Sequence, residues 1–245
     1  QGLAEAQNEL GVFYQQSRNG TEATKWYRKS AEQGFAVAQF NLGLMSSVRP
    51  ESWKETRRWY KKAAEQGLAQ AQFNLGVMWA KGPGTRDSKE AVKWYRLAAE
   101  QGMVPAQNDL GMMYYGGEGV PQDYKKAFRW WRKSAEQGYY KAQYILGLMY
   151  HGGKGVLQDY KEAVKWYRKS AEQGIPQAQY NLGVMYAKGH GVPQDYAIAH
   201  MYFNIAAVSG HENAIENRGI VEEDMSSSQI AEAQKLAREW MRTHQ

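Results

Sequence analysis

The sequence predicts an all-α solenoid built from stacked helical hairpins. Three observations lead to this fold class: a motif that recurs at a constant period, two segments of fixed length in every repeat, and apolar residues at helical intervals. Of the 245 residues, 43% are hydrophobic and 23% are charged, values typical of a folded protein with a core. No apolar run approaches the roughly 18 residues that are needed to cross a bilayer.

The recurring motif is a short segment that ends in Ala-Glu-Gln-Gly or a close variant. Starting at Gly2, its closing glycines are 32 to 36 residues apart, at Gly34, Gly67, Gly102, Gly138, Gly174 and Gly210. This period is typical of helical-hairpin solenoids and differs from that of propellers or leucine-rich repeats. We therefore divide residues 1–210 into six repeats, and residues 211–245 form a partial repeat and a capping helix. The repeats are residues 2–34, 35–67, 68–102, 103–138, 139–174 and 175–210.

Each repeat consists of two segments of fixed length separated by one loop of variable length. The second segment begins at a residue type that favours helix N-caps, since its side-chain oxygen accepts hydrogen bonds from amides of the first turn. These cap residues are Asn19, Ser52, Asp87, Asp123, Asp159 and Asp195. Four of them have a glutamate three residues later, as in a capping box. We expect a helix A and then a helix B in every repeat, with helix B ending at the closing glycine.

Apolar side chains on one face of each helix predict how the helices pack. In repeat six, Ala178, Leu182 and Met185 share one face of helix A, and Gly183 allows a neighbouring helix to approach closely. Helix B carries a tryptophan or tyrosine seven residues after its cap, for example Trp166. We expect these rings to fill the core between hairpins, because a single hairpin has too little apolar surface to be stable alone.

The two ends of the array differ from its middle. Repeats four to six join their helices through glycine-rich loops such as GGEGVPQD, where glycine permits a positive φ, whereas QSRN and SVRPE replace this loop in repeats one and two. At the other end, residues 225–244 predict a final helix that covers the open core. Its apolar stripe consists of Ile230, Ala233, Leu236, Ala237 and Trp240, and serines 226–228 offer a cap.

These repeats resemble Sel1-like repeats, which are related to the tetratricopeptide repeat. The resemblance covers roughly residues 2–218, and in repeat six it runs through AQYNLGVMYAKGHGVPQDYAIAHMYFNIAAVSG. The tail SSSQIAEAQKLAREW is similar to the closing helix of bacterial members, while Ser46 replaces the tyrosine of repeat two. The resemblance implies a right-handed α/α superhelix in which the helices A line a concave surface that holds other proteins. It also implies an adaptor or a host-interaction protein, without saying which partner is bound.

By analogy with tetratricopeptide arrays, one stripe of helix A faces this concave side. In repeat six the stripe consists of Gln177, Tyr180, Val184 and Lys188. The residues equivalent to Tyr180 alternate between aromatic and amide side chains: Asn8, Phe40, Phe73, Asn108 and Tyr144. Since rings provide contact area and amides pair with backbone groups, we expect a groove for a protein or peptide. The alternative is that the rings pack between adjacent helices A. Lys81, Tyr115 and His151 are further candidates at the rim.

The sequence offers no recognisable constellation for catalysis or metal binding. Cysteine is absent, the five histidines lack the HExxH spacing, and neither a GxSxG nor an SxxK motif occurs. The glycine-rich loops lack the Gly-Lys-Ser/Thr ending of a phosphate-binding loop. We therefore predict a protein that is not an enzyme, with no cofactor and no metal, and a monomer that binds a protein or peptide partner.

Two other functions remain open from the sequence. A glycan or peptidoglycan-associated protein would use the same aromatic groove for sugar stacking. A nucleic-acid binder would use the basic face of helix B, for example Lys161, Lys165 and Arg168, although the net charge of only +6 favours an ordinary solvated surface. The resemblance to bacterial proteins favours a periplasmic or secreted location over a cytoplasmic one.

Overall fold

The computed structural model describes residues 2–47, 52–82 and 86–244, and within these ranges the chain forms fourteen α-helices and no β-strand. Most of the SVRPE loop, residues 48–51, lies outside the described residues. The all-α helical repeat fold predicted from the sequence is confirmed. The helices are α1 (Gly2–Gln16), α2 (Gly20–Glu32), α3 (Ala36–Ser47), α4 (Trp53–Glu65), α5 (Ala69–Lys81), α6 (Ser88–Glu100), α7 (Val104–Gly116), α8 (Tyr124–Glu136), α9 (Tyr140–Gly152), α10 (Tyr160–Ala171), α11 (Pro176–Lys188), α12 (Tyr196–Val208), α13 (Glu212–Glu222) and α14 (Ser227–Thr243).

The chain divides into two compact units, Gln1–Gln122 and Asp123–Gln245. Unit 1 contains helices α1 to α7, and unit 2 contains helices α8 to α14. In both units the odd-numbered helices up to α13 are the predicted helices A, and the even-numbered helices up to α12 are the helices B. Within each unit every helix packs against the helix before it and the helix after it, up to α13, so the hairpins stack in chain order.

Most of the helices B begin at the predicted cap residues. Asp159 Oδ1 accepts hydrogen bonds from the amides of Lys161 and Glu162 at 2.9 and 3.1 Å, and Asn19, Asp87, Asp123 and Asp195 cap their helices in the same way. Ser52 occupies the predicted N-cap position of α4, but its side chain makes no cap hydrogen bond. All six closing glycines from Gly34 to Gly210 have φ between +81° and +92°, as their positions after helix B require.

Two of the four glutamates of the predicted capping boxes bind an indole of their own helix. Glu90 Oε2 accepts a hydrogen bond from the Trp94 indole at 3.1 Å, and Glu55 Oε1 accepts one from Trp59 at 3.3 Å. These glutamates therefore satisfy the polar edge of a buried indole. Of the five tryptophans at this position, Trp59, Trp94 and Trp166 are buried, whereas Trp26 and Trp130 are half-buried beneath a lysine ammonium group.

In the hairpins that lie within one unit, the core forms where a glycine of helix A meets an aromatic ring of helix B. A Cβ atom added at Gly183 would lie 2.5 Å from Cε1 of Phe203, so only glycine permits this approach. The same contact joins Gly43 to Tyr60 and Gly76 to Tyr95. The role predicted for Gly183 is thus confirmed.

Two glutamines in each of repeats two, three and five, which the sequence patterns did not single out, link neighbouring hairpins. Buried Gln143 donates from Nε2 to the Ala135 carbonyl at 3.2 Å, and its Oε1 accepts from Gln173 Nε2 at 2.7 Å. Gln173 also donates to the Gly138 carbonyl at 3.0 Å. Gln72 and Gln101 form the same pair in unit 1. These bonds satisfy the backbone at the end of one helix B and fix the register of the next hairpin.

The C-terminal helix forms as predicted, and it packs on the outer side of the last helix B. Helix α14 begins with a capping box between Ser226 and Gln229 and contacts α12. The buried Ala237 joins Met201, Tyr202 and Ile205 of α12 in one apolar cluster. Helix α12 is the one helix B without Lys, Arg, Asp or Glu, because its outer face is covered. No helix among the described residues is long and apolar enough to span a membrane.

Candidate functional site: the exposed face of the helices A

The predicted aromatic contact residues lie half-buried on the helices A, each against a ring of helix B in its own hairpin. The ring centroids are 5.7 Å apart for Phe40 and Tyr60, and 6.1 Å apart for Tyr144 and Tyr167. Phe73 with Tyr95 and Tyr180 with Phe203 repeat this arrangement at 5.8 and 5.7 Å. Each ring therefore contributes to the core of its hairpin and keeps only part of its surface exposed. The Tyr180 ring is in addition stacked on His211, with ring centroids 4.3 Å apart.

The two predicted amide residues are more enclosed than these rings. Asn8 is 8% exposed, and its Oδ1 accepts a hydrogen bond from Asn41 Nδ2 at 3.1 Å. Asn108 is 4% exposed and donates to the side chain of Asp109 at 3.0 Å. The sequence pattern placed them on the same stripe as the rings, but their short side chains reach less far from the helix. Contact with a partner stays a prediction for both residues.

The remaining predicted residues lie near the ends of the helices A. Gln177 and Lys188 are exposed at the start and the end of α11, and Lys81 is exposed at the end of α5. His151 is half-buried at the end of α9, with its ring centroid 5.5 Å from that of Tyr160. Burial, together with the nearby charges of His190 and Lys188, lowers the pKa of His151. This histidine is therefore held in its neutral form more firmly than a free one.

A row of asparagines next to the aromatic residues joins consecutive helices A. Asn217 Nδ2 of α13 donates to the Tyr180 hydroxyl of α11 at 2.7 Å, and Asn41 of α3 donates to Asn8 of α1. Asn181 of α11 bonds to Tyr144 of α9, a contact that partly offsets the rise that burial causes in the pKa of this tyrosine. Two of these bonds hold the Tyr144 and Tyr180 rings in place, and the third joins two amide side chains.

The helices A also carry a row of aliphatic side chains that was not predicted from the sequence. One aliphatic residue occurs ten residues after the closing glycine of every repeat: Val12, Leu44, Val77, Met112, Leu148, Val184 and Ile220. Met112 is 55% exposed, Leu148 is 41% exposed, and Val77 and Val184 are half-buried. Of these residues, only Val184 had been included in the predicted stripe. The constant aliphatic character of an exposed position was the pattern that could have revealed the row.

Charge is distributed unequally between the two kinds of helix. Helix α3 has no charged residue, and α5, α7 and α11 have one each. By contrast, α8 carries five lysines and arginines against one glutamate. Several cations of the helices B form ion pairs along their own helix. Examples are Lys165 with Glu162 of α10 at 3.1 Å and Arg132 with Glu136 of α8 at 2.8 Å. The helices A from α3 to α11 therefore have a mainly apolar and amide surface, whereas α1 has two glutamates and α13 has three glutamates and one arginine. Most of the basic residues lie on the helices B.

The histidines, aspartates and glutamates are spread out on the part of the chain that the structure describes. No three histidine, aspartate or glutamate side chains there are close enough to share a metal ion. Buried His200 pairs with Glu222 at 2.7 Å, and this pair links α12 to α13 inside unit 2. Tyr160 stacks on His190 with ring centroids 4.6 Å apart. Both histidines thus join neighbouring elements of the fold.

Comparison with known proteins identifies the repeats. The model of the Sel1 repeat matches residues 4–35, 36–68, 69–103, 104–139, 141–175 and 176–211. A Sel1 repeat protein from Oxalobacter formigenes is 34% identical, with a TM-score of 0.79, over 85% of this chain and 88% of its own. A protective antigen of uropathogenic Escherichia coli strains that displays an SLR fold is 30% identical, with a TM-score of 0.64, over 98% of this chain. The chain spans 61% of the length of that antigen. No curated protein matches the chain.

Proposed function

Because this chain belongs to the Sel1 repeat family, whose members generally act as scaffolds for protein–protein interactions, we propose that it is a non-catalytic scaffold for a protein or peptide partner. The binding surface in this proposal is the exposed face of the helices A. Its contact residues are the accessible edges of Phe40, Phe73, Tyr144 and Tyr180, together with the neighbouring row of aliphatic side chains.

The observation that supports this proposal is the exposed aliphatic row on nearly uncharged helices. Exposed apolar side chains that recur at one position of successive helices offer a partner a surface whose burial is favourable. Hydrogen bonds with asparagines keep the Tyr144 and Tyr180 rings in place before a partner arrives, which lowers the entropy cost of binding. A protein or peptide with apolar side chains and a polar backbone matches both features.

The same observations make nucleic-acid and glycan binding weaker candidates. Phosphates would be drawn to the basic helices B, where many cations already have glutamate partners on the same helix. A sugar would stack on a ring face, whereas each predicted ring has one side against a ring of helix B. We further propose a periplasmic or secreted location, in keeping with the bacterial resemblance of the repeats.

Affinity capture with charged variants of the aliphatic row tests the proposal. The immobilised chain is incubated with native extract, and the captured proteins are quantified by mass spectrometry. The same capture is carried out with the variant Leu44→Asp/Met112→Asp and with the variant Leu148→Asp, and the recoveries are compared. We expect a specific partner whose recovery falls at least about tenfold with one of the variants, because aspartate at an exposed apolar contact desolvates a charge on binding.

A matched control separates this effect from a general change of surface. Leu157 is 88% exposed in the loop before α10, away from the helices A, so Leu157→Asp should leave capture unchanged. All variants change exposed residues, and circular dichroism should show unaltered helix content. Equal capture by the control and by both variants of the row would contradict the proposed surface.

A further inference from the structure

Repeat six lacks one member of the glutamine pair that links the hairpins of earlier repeats. The residue before the closing glycine is glutamine in the first five repeats, whereas repeat six has Ser209 there. The other member of the pair is present as Gln179 of α11, which is 1% exposed. Its Nε2 donates to the Ala171 carbonyl at 3.3 Å, as Gln143 Nε2 donates to that of Ala135. The carboxamide of Gln179 therefore faces the same way as that of Gln143.

The Oε1 atom of Gln179 is an acceptor without a donor. In repeats two, three and five, Oε1 of the buried glutamine accepts a hydrogen bond at 2.7–2.8 Å from Nε2 of the glutamine before the closing glycine. Gln179 Oε1 is also buried, but it has no hydrogen-bond partner among the described residues. Because a buried oxygen without a donor is unfavourable, a group that supplies a donor is stabilised at this position.

The earlier repeats show which group fits this position. Gln173 Nε2 lies 2.7 Å from Gln143 Oε1 and 3.0 Å from the carbonyl of Gly138, the closing glycine of the repeat before. The carboxamides of Gln66 and Gln101 make the same two bonds in their repeats. A primary amide has two N–H groups for these two acceptors. A hydroxyl group such as that of serine has a single hydrogen and cannot make both bonds.

This position is reached from the protein surface. Gln66, Gln101 and Gln173 are exposed residues whose carboxamides extend to the buried glutamine of their repeat. Ser209 is exposed as well, and it lines a cleft of about 220 Å³ together with the first residues of α11 and α13. A side chain of another molecule can therefore approach Gln179 along the path that the exposed glutamines take in the earlier repeats.

We propose that Gln179 and the cleft beside Ser209 bind the carboxamide of a glutamine side chain supplied by a partner protein. The NH2 group donates to Gln179 Oε1 and to the carbonyl of Gly174, as the Gln173 amide does at the equivalent atoms of repeats four and five. Glutamate does not fit, because a carboxylate places an acceptor against an acceptor. Lysine fits less well, because two neutral acceptors return little of the cost of desolvating its charge. The site lies outside the aliphatic row and does not depend on the function proposed above.

The probe is glutamine with an N-terminal acetyl group and a C-terminal N-methylamide, so that its side chain carries its one primary amide. Binding to the full chain is followed by NMR through the side-chain amide signal of Gln179, which the variant Gln179→Leu identifies. We expect a saturable shift with a Kd in the millimolar range, since a single side chain makes few contacts. The same derivatives of lysine and of methionine, which has a similar length but no amide, should bind about tenfold more weakly or not at all.

A glutamine of the chain itself should compete for this position. Ser209→Gln restores the residue of the earlier repeats, so its carboxamide should bind Gln179 Oε1 and weaken probe binding by about tenfold or more. It should also raise the midpoint of thermal unfolding by about 2–4 °C, because the buried acceptor gains its donor. Val208→Gln is the matched control, since it places the same side chain at the neighbouring position, which is 70% exposed. This control should leave both probe binding and the unfolding midpoint unchanged.

Three results would overturn the proposal. A Gln179 signal that does not respond to the glutamine probe would show that water alone satisfies this oxygen in solution. Equal binding of the methionine or the lysine derivative would show that the cleft does not select a carboxamide. Unchanged probe binding by Ser209→Gln would place the probe elsewhere on the chain. None of these results bears on partner capture by the exposed face of the helices A, so the two proposals can fail separately.

Discussion

Whether glycine is required at one position of the helices A depends on the side chain that packs against it. Gly183 of α11 lies against the Phe203 ring of the following helix B, whereas Gly219, at the same repeat position in α13, has no atom within 4 Å of an added Cβ. Helix α13 is followed by α14, which packs on α12 and supplies no ring at this point. The same residue is therefore required in one helix and only tolerated in the other.

This difference predicts opposite effects of one substitution. Gly183→Ala should lower the free energy of unfolding by about 1–3 kcal/mol, because the methyl group overlaps the Phe203 ring. Gly219→Ala should raise it by about 0.5–1 kcal/mol, because alanine favours the helix and meets open space. Urea unfolding followed by circular dichroism measures both variants. Equal effects of the two substitutions would contradict the packing described here.

The glutamine pairs lead to a second prediction at the residue scale. Gln143→Leu keeps the size of the side chain but removes its bonds to Ala135 and Gln173, leaving a buried carbonyl without its donor. We expect a loss of roughly 1–3 kcal/mol in unfolding free energy. Gln177→Leu, at an exposed site of the next repeat, serves as the control and should change stability by less than about 0.5 kcal/mol. A stable Gln143→Leu variant would show that packing, rather than these bonds, sets the register.

At the scale of the helix, the caps could be read from the sequence in five of six repeats. Aspartate and asparagine accept amide hydrogen bonds where the pattern places them, because a cap depends only on residues two or three positions away. Ser52 has the right residue type and spacing but makes no cap bond.

The difference between these caps can be measured. Asp159→Ala should lower the free energy of unfolding by about 1 kcal/mol, because two amides of the first turn of α10 lose their acceptor. Ser52→Ala should change it by less than about 0.5 kcal/mol, since no cap bond is lost. Thermal unfolding of the two variants, compared with the parent chain, gives the answer. A larger loss for Ser52→Ala would mean that its hydroxyl caps α4 in solution.

At the scale of the whole molecule, the separation of charge from apolar surface predicts how partner binding responds to salt. If the partner lies on the helices A, its affinity should change by less than about threefold between 50 and 500 mM NaCl, because few charges are desolvated there. Titration calorimetry at several salt concentrations measures this dependence. A fall of a thousandfold or more would instead indicate a polyanion bound to the helices B.

The sequence by itself determined the repeat, the order of its helices and most of their ends, because caps, closing glycines and apolar spacing act over a few residues. It also placed Phe40, Phe73, Tyr144 and Tyr180 on one stripe. Only the tertiary structure decided how much of each ring stays accessible and that Asn8 and Asn108 are enclosed. These features depend on which helix lies beside which, and burial by a neighbour many residues away cannot be read from local spacing.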